Sequence, residues 1–99
     1  MVRKMLTMII YDIQETTNRN HLIKKLRHHG LKRVQKSVFT GYLTQEKRKQ
    51  LQKEIKENIQ SQQDSIIQLE ICANCKNHIT QLGNTNIPPK EDKEYEVLL

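Results

Sequence analysis

The carboxylate of Asp12 is the side chain with the clearest capacity for chemistry, because it ends an apolar stretch. The preceding residues, 8–11 (Met-Ile-Ile-Tyr), are typical of a buried β-strand. A side chain at the C-terminal end of such a strand lies at the edge of the sheet, where it is exposed to solvent. A second strand-like block, residues 33–41, begins twenty-one residues later and ends in Gly41. The pattern favours a compact α/β chain with one strand-end acid, as in a small protein that handles phosphodiesters.

Basic residues are concentrated in the first two thirds of the chain. Residues 1–60 contain 14 Lys or Arg and 5 Asp or Glu, whereas residues 61–99 contain 3 and 6. A basic surface attracts polyanions through counterion release, and such binding falls steeply with salt. The charge therefore favours nucleic-acid contact, although an ordinary solvated surface is the other interpretation of charge alone.

The composition limits the chain to one modest core. With 99 residues, 35% of them apolar, it has enough material for one domain but not two. No stretch approaches the roughly 18 apolar residues of a membrane span. The apolar run after the charged start is also too short for a signal peptide. We therefore expect a cytoplasmic protein with no membrane partner.

The spacing of apolar residues predicts alternating strands and helices. The first helix is expected to begin after a cap at residues 16–18 and to end at Gly30, and the second to be capped by Thr44. A helical turn is expected within residues 75–82. The predicted strands cover residues 4–13, 31–36, 37–43, 65–72 and 94–99, with a bend or bulge near Lys36-Ser37.

The resulting order, β-α-β-β-α-β with a C-terminal extra strand, predicts an α+β, ferredoxin-like sandwich. Residues 1–82 form the predicted domain, and residues 83–99 form a linker and terminal strand. Two helices cover only one face of a four-stranded sheet, yet the first strand is apolar on both faces. We therefore expect a sheet-to-sheet homodimer, with the terminal strand pairing with the other subunit.

Two motifs in the chain carry a resemblance to a known family. They are Tyr11-Asp12-Ile13, with Arg19 in the following loop, and Gly30-x-x-Arg33-Val34-Gln35-x-Ser37-Val38-Phe39-x-Gly41. Together they resemble the CRISPR-associated protein 2 family, the small subunit of the prokaryotic spacer-acquisition machinery. The resemblance covers roughly residues 5–82, and Asp64-Ser65-Ile66 is similar to the start of the family's fourth strand.

The resemblance implies a catalytic site at the dimer axis. Asp12 of each subunit would meet its mate there and bind Mg²⁺, or alternatively Mn²⁺, since two close carboxylates must share a proton or take a cation. The expected reaction is metal-assisted phosphodiester hydrolysis. Ser37 would position water or phosphate. Phe39 would form a wall of the site, with a role in the core as the alternative.

The same resemblance implies two classes of function, which are compatible. One is a Mg²⁺-dependent endonuclease that cleaves single-stranded RNA or double-stranded DNA. The other is a structural adaptor, a dimer that binds duplex DNA and bridges copies of the CRISPR-associated protein 1 integrase. In either case Arg19, Arg33 and Lys36 are the expected phosphate-binding residues.

A Cys72-x-x-Cys75 motif stands apart from this resemblance. Its spacing suggests a zinc site with His78 as a third ligand, or a redox pair. A structural zinc site usually has four protein ligands, and a second ligand pair is absent from the sequence. No activating group for a redox thiol is evident either. The sequence therefore favours neither role.

Overall fold

The computed structural model describes residues 3–60, 62–83 and 87. The described chain is an α+β fold, which confirms the predicted class and the predicted order of elements through the fourth strand. The elements are β1 (Lys4–Asp12), α1 (Thr16–His28), β2 (Lys32–Gln35), β3 (Val38–Thr44), α2 (Gln45–Asn58), β4 (Ser65–Ile71) and α3 (Ala73–Lys76).

The strands form one antiparallel sheet in the order β2-β3-β1-β4. Local residues mark the start of α2 and the end of α1. The hydroxyl of Thr44 accepts a hydrogen bond from the Lys47 N–H (3.2 Å), so the predicted cap of α2 is confirmed. Gly30, with φ of +89°, follows α1 and donates its N–H to the Arg27 carbonyl (3.0 Å). The terminal strand predicted at 94–99 lies outside the described residues.

Three boundaries differ from the sequence prediction. The cap of α1 is Glu15, without a side-chain hydrogen bond, rather than a residue of 16–18. The predicted helical turn within 75–82 is found earlier, at α3. A two-residue turn replaces the bend or bulge expected at Lys36-Ser37, and the irregular pairing lies within β2, between Arg33 and Gln35.

The turn between β2 and β3 also receives hydrogen bonds from β1. The Tyr11 hydroxyl donates a hydrogen bond to the Lys36 carbonyl (3.2 Å), and the Tyr11 N–H donates to the Ser37 carbonyl (3.0 Å). These contacts join residues more than 20 positions apart in sequence. No local turn signal such as Asn-Gly marks this site, which explains why the sequence did not predict the turn.

Helices α1 and α2 cover one face of the sheet and enclose the core. Apolar side chains of both helices pack there on alternate residues of β1 and β3. The buried set that forms this core comprises Ile9, Tyr11, Ile13, Leu22, Leu26, Leu31, Phe39, Leu43, Leu51 and Ile55. Gly41 lies inside β3, where an added Cβ would approach the Leu31 backbone to 3.1 Å, so a larger residue here would have to displace Leu31 slightly.

The opposite face of the sheet is apolar and is called the open face here. In the middle of this face, Met8 of β1 lies beside Leu69 of β4. Ile10 of β1 lies between Ile67 of β4 and Val38 of β3. Ile67 and Leu69 keep 51% and 43% of their surface exposed, so α1 and α2 leave this face uncovered. Helix α3 packs against β1, and the Lys76 ammonium lies 5.0 Å from the ring centre of Tyr42. The expectation that one face of the sheet would be left uncovered by the two helices is met.

A charged cluster connects α1 with α2. The Glu54 carboxylate lies 3.3 Å from the Nε2 atom of His29, whose side chain is buried, and 3.6 Å from the Lys25 ammonium. Partial burial raises the pKa of Glu54, but the hydrogen bond with His29 and the charges of His29 and Lys25 outweigh it. The pKa of Glu54 is therefore lower than its ordinary value of 4.5.

We predict that Glu54→Gln lowers the free energy of unfolding by about 1 kcal/mol at pH 7. Because the folded pKa is depressed, the carboxylate stabilises the fold above pH 4.5, and this contribution is lost as the pH falls through the folded value. Denaturant unfolding at pH 7, 5 and 3 should therefore show the difference between variant and wild type shrinking toward acid. Glu57→Gln, an exposed change on the same helix, is the control. A difference independent of pH would contradict the assignment.

Candidate active site at the end of β1

Asp12 ends the row of β1 side chains that forms the open face. Side chains alternate along a strand, so Asp12 lies on the same face as Met8 and Ile10. It is exposed, pairs in register with Ser65 of β4, and its Oδ1 atom accepts a hydrogen bond from the Gln14 side-chain amide (3.3 Å). The acid is thus presented to solvent at the rim of an uncovered apolar surface.

Asp64 holds the two loops that frame this rim. Its Oδ1 atom accepts a hydrogen bond from the Gln14 N–H (3.2 Å), and its Oδ2 atom accepts one from the Gln60 N–H (2.9 Å). The carboxylate therefore joins the loop after β1 to the loop before β4. This role was not predicted from the sequence, although an Asp that ends a polar loop before a strand is a typical residue for capping loop N–H groups.

Ser37 and Lys36 lie beside the end of β1. Their carbonyl groups accept the two hydrogen bonds from Tyr11, the neighbour of Asp12 in sequence. Ser37 is half-buried, and the Lys36 side chain is exposed. The structure therefore brings the predicted Ser37 and Lys36 into the region of Asp12. Their roles toward water and phosphate stay predictions.

Phe39 is placed differently, in the core beneath α1 and α2. It is 0% exposed, and its ring centre lies 6.1 Å from that of Tyr11. Phe39 pairs with Ile9 on the helix-covered face, whereas Asp12 belongs to the open face. These contacts support the core alternative for Phe39, and its role as a wall of the site stays a prediction.

We predict that Phe39→Leu lowers the free energy of unfolding by about 1–2 kcal/mol because a buried ring is replaced by a smaller side chain. For the nuclease that the family resemblance implies, the cleavage rate per folded molecule should change by less than about twofold, since the ring is not exposed. Urea unfolding and a single-turnover assay on the same preparation measure both effects. A large loss of activity with full stability would instead support the wall role.

The predicted phosphate-binding arginines occupy separate positions. Arg19, in α1, donates a hydrogen bond from Nη2 to the Thr16 hydroxyl (3.2 Å). Arg33 is exposed on β2, and its guanidinium carbon lies 5.3 Å from the ring centre of Phe39. Arg27, which the sequence analysis did not single out as a phosphate ligand, lies 6.0 Å from the same ring centre. The guanidinium groups of Arg27 and Arg33 thus both lie close to the Phe39 ring.

Within one chain, the described side chains that could bind a metal ion are few. Among residues 3–60, 62–83 and 87, no group of three or more His, Cys, Asp and Glu side chains could hold a metal ion. His78 therefore does not complete a three-ligand set with Cys72 and Cys75. A single exposed carboxylate does fit Mg²⁺, which is commonly bound through one or two carboxylates, several waters and substrate phosphate. Asp12 can serve a shared site, but it cannot form an all-protein cage.

Comparison with known proteins is consistent with this architecture. The family described as CRISPR associated protein Cas2 matches residues 5–79. A protein named CRISPR-associated endoribonuclease Cas2 1 from Methanospirillum hungatei is 33% identical over 90 residues, which cover 91% of this chain and 93% of that protein. A protein of the same name from Archaeoglobus fulgidus is 30% identical over 92 residues, covering 93% and 98%.

Two solved structures share the fold. A hypothetical protein from Thermus thermophilus superposes with a TM-score of 0.74 at 28% identity, covering 87% of this chain and 99% of that one. Streptococcus pyogenes Cas2 superposes with a TM-score of 0.68 at 24% identity, covering 80% and 100%.

The fold and its strand-end acid define a small α+β protein whose two long helices, α1 and α2, cover one face of the sheet. With the sequence matches, the chain belongs to the CRISPR associated protein Cas2 family. The resemblance inferred from the two motifs is thereby confirmed. No helix among the described residues is long and apolar enough to cross a membrane.

Proposed function

We propose that this chain is a metal-dependent endonuclease of the endoribonuclease type that acts in CRISPR adaptation. The observation that carries the proposal is the exposed Asp12 carboxylate at the rim of the open face. Relatives that align over more than 90% of the chain are named endoribonucleases, which supports nuclease activity. The basic charge of residues 1–60 suits a phosphodiester substrate, either single-stranded RNA or duplex DNA.

The active form in this proposal is a ferredoxin-like homodimer packed open face to open face. An apolar sheet surface with Ile67 and Leu69 half exposed favours a second copy of the same surface, because burial removes both from water. Asp12 lies in the same row as Met8 and Ile10, so such packing draws the two Asp12 carboxylates toward the contact. The terminal strand is proposed to pair across subunits.

Two copies of Asp12 would hold a Mg²⁺ or Mn²⁺ ion, which when bound supplies positive charge at the scissile phosphate and acidifies a water ligand. The residues of the chain then have distinct tasks. Gln14 orients Asp12 through its hydrogen bond, and Asp64 fixes the loop that bears Gln14. Ser37 is proposed to position water or phosphate, and Arg19, Arg33 and Lys36 to bind the flanking phosphates.

An adaptor function is the second candidate, favoured by the charge asymmetry between residues 1–60 and 61–99. The basic part would hold captured duplex DNA, and the mildly acidic C-terminal part would contact the CRISPR-associated protein 1 integrase. One dimer would then bridge two copies of the integrase. This function needs nucleic-acid binding and does not need cleavage, so it is compatible with weak nuclease activity.

Cleavage of labelled single-stranded RNA and duplex DNA tests the proposal. The purified protein is assayed with Mg²⁺, with Mn²⁺ and with EDTA, and binding of each substrate is measured in parallel at increasing salt. Cleavage that requires the metal and is lost in EDTA supports the nuclease and identifies its substrate. Tight, salt-sensitive binding without cleavage under every condition would overturn the nuclease and leave the adaptor.

A further inference from the structure

Ser65, the first residue of β4, lies directly opposite Asp12, the last residue of β1. Two positions further along both strands, Ile67 pairs with Ile10 on the open face. Because side chains alternate along a strand, Ser65 lies on the open face together with Asp12. Directly opposite residues of an antiparallel pair have Cβ atoms about 4.5–5.5 Å apart. The sheet thus brings a hydroxyl next to the candidate catalytic carboxylate.

The other neighbour of β1 provides no such partner for Asp12. β3 begins at Val38, which pairs with Ile10, so the pairing of β1 with β3 ends before Asp12. The turn that precedes β3 presents a backbone carbonyl, that of Ser37, to β1. Within the described sheet, Ser65 is therefore the residue that pairs with Asp12.

Two sets of contacts fix the position of Ser65. Strand pairing holds its backbone against β1. The preceding residue, Asp64, accepts hydrogen bonds from the Gln14 N–H (3.2 Å) and the Gln60 N–H (2.9 Å). Gln14 also donates from its side chain to Asp12 (3.3 Å). The start of β4 is therefore tied to the loop after β1, and a hydroxyl held in this way needs little reorganisation to act.

The polar groups of this pair are available for binding. Both residues are exposed, and the hydrogen bond from Gln14 goes to the Oδ1 atom of Asp12. Within the described part of the chain, neither the Asp12 Oδ2 atom nor the Ser65 hydroxyl has a hydrogen-bond partner. A hydroxyl both donates and accepts hydrogen bonds, so it can orient a water molecule beside the carboxylate. Mg²⁺ bound through one or two carboxylates keeps several such waters.

We propose that Ser65 is a positioning residue for a divalent cation at Asp12, with its hydroxyl hydrogen-bonded to a water ligand of that cation. The inference rests on the proposed function for the cation site, and it adds a residue that the proposal did not include. In the proposed dimer each Asp12 keeps its own Ser65, because both residues belong to one chain. Hydrogen-bond partners of this kind orient the ligands, and their loss typically weakens metal binding or activity by about tenfold or more.

Binding of Mn²⁺ to the full chain without nucleic acid tests the proposal, with the signal of free Mn²⁺ in electron paramagnetic resonance as the readout. Ser65→Ala should raise the Mn²⁺ dissociation constant by about tenfold. Ser65→Thr keeps the hydroxyl and suits a strand, so it should retain most of the wild-type affinity. Thr80→Val is the control, because it removes a hydroxyl from an exposed residue outside the sheet and should change nothing. Asp12→Asn should abolish binding.

Cleavage of single-stranded RNA across a Mg²⁺ titration gives a second readout. In Ser65→Ala the Mg²⁺ concentration at half-maximal rate should rise by about tenfold, whereas the rate at saturating Mg²⁺ should change by less than about threefold. A merely structural role would lower the saturated rate and leave the Mg²⁺ dependence unchanged. Circular dichroism of each variant should match that of the wild type.

The outcomes separate this inference from the proposed function. Unchanged Mn²⁺ binding by Ser65→Ala, with binding lost in Asp12→Asn, would overturn the role of Ser65 alone. Binding as weak in Ser65→Thr as in Ser65→Ala would also overturn it, because the hydroxyl is the group that acts. A wild type that binds no Mn²⁺ would overturn both proposals. Weakened binding in Ser65→Ala, in a protein that cleaves nothing, would support Ser65 and overturn the nuclease.

Discussion

In the proposed nuclease, Asp12→Asn is expected to reduce metal-dependent cleavage by at least about a hundredfold and to leave the proposed dimer intact. The substitution removes the charge that attracts the cation but keeps the shape of the side chain. Asp12 is exposed, and the oxygen of an asparagine side chain can still accept the hydrogen bond from Gln14. The fold should therefore be unchanged, and a loss of cleavage activity would result from the loss of the Asp12 carboxylate.

The experiment compares single-turnover cleavage by wild type, Asp12→Asn and Glu46→Gln across a Mg²⁺ titration. Glu46 is an exposed acid in the first turn of α2, so its variant controls for the loss of one negative charge. The control should retain wild-type activity. Excess Mn²⁺ should rescue Asp12→Asn poorly, because an amide is a weaker ligand than a carboxylate for a hard cation. Undiminished cleavage by the asparagine variant would remove Asp12 from the mechanism.

Leu69→Glu is expected to raise the dimer dissociation constant by on the order of a hundredfold or more. Leu69 lies beside Met8 in the middle of the open face and is 43% exposed in the single chain. In a face-to-face dimer one introduced carboxylate from each subunit would be buried without a counter-charge. This burial costs several kcal/mol. Each factor of ten in affinity corresponds to about 1.4 kcal/mol.

Sedimentation velocity over a range of concentrations measures this effect. Leu82→Glu is the matched control, because Leu82 is 82% exposed and lies outside the sheet. The control should dimerise as the wild type does, and both variants should keep the wild-type circular dichroism. Metal-dependent cleavage should fall together with dimerisation in Leu69→Glu, since two copies of Asp12 share the proposed site. An unchanged dissociation constant would place the interface elsewhere.

Several features of the fold were predictable from local sequence. The apolar run of β1, the cap at Thr44 and the glycine after α1 all depend on residues within a few positions of one another. The motif around Asp12 and the block ending at Gly41 were enough to indicate the family, which the sequence matches confirm. The uncovered sheet face was also predictable, because a strand that is apolar on both faces needs more cover than two helices provide.

The site was predicted less completely. Asp12, Ser37 and Lys36 were singled out from their motif, and the structure places them near one end of the sheet. Phe39 belongs to the same motif, yet it faces the helices, because strand alternation and the turn before it decide which face it occupies. A motif lists residues in order, whereas the face of each side chain depends on strand register.

By itself, the sequence determined the α+β class, the family and the strand-end acid, because each depends on residues that are neighbours in the sequence. Only the tertiary structure decided the turn contacts made by Tyr11 and the joining of two loops by Asp64. Tyr11 and Lys36 are 25 positions apart, and Gln14 and Asp64 are 50 apart. Such contacts form because packing of the whole sheet brings distant polar groups together, and no local pattern encodes that packing.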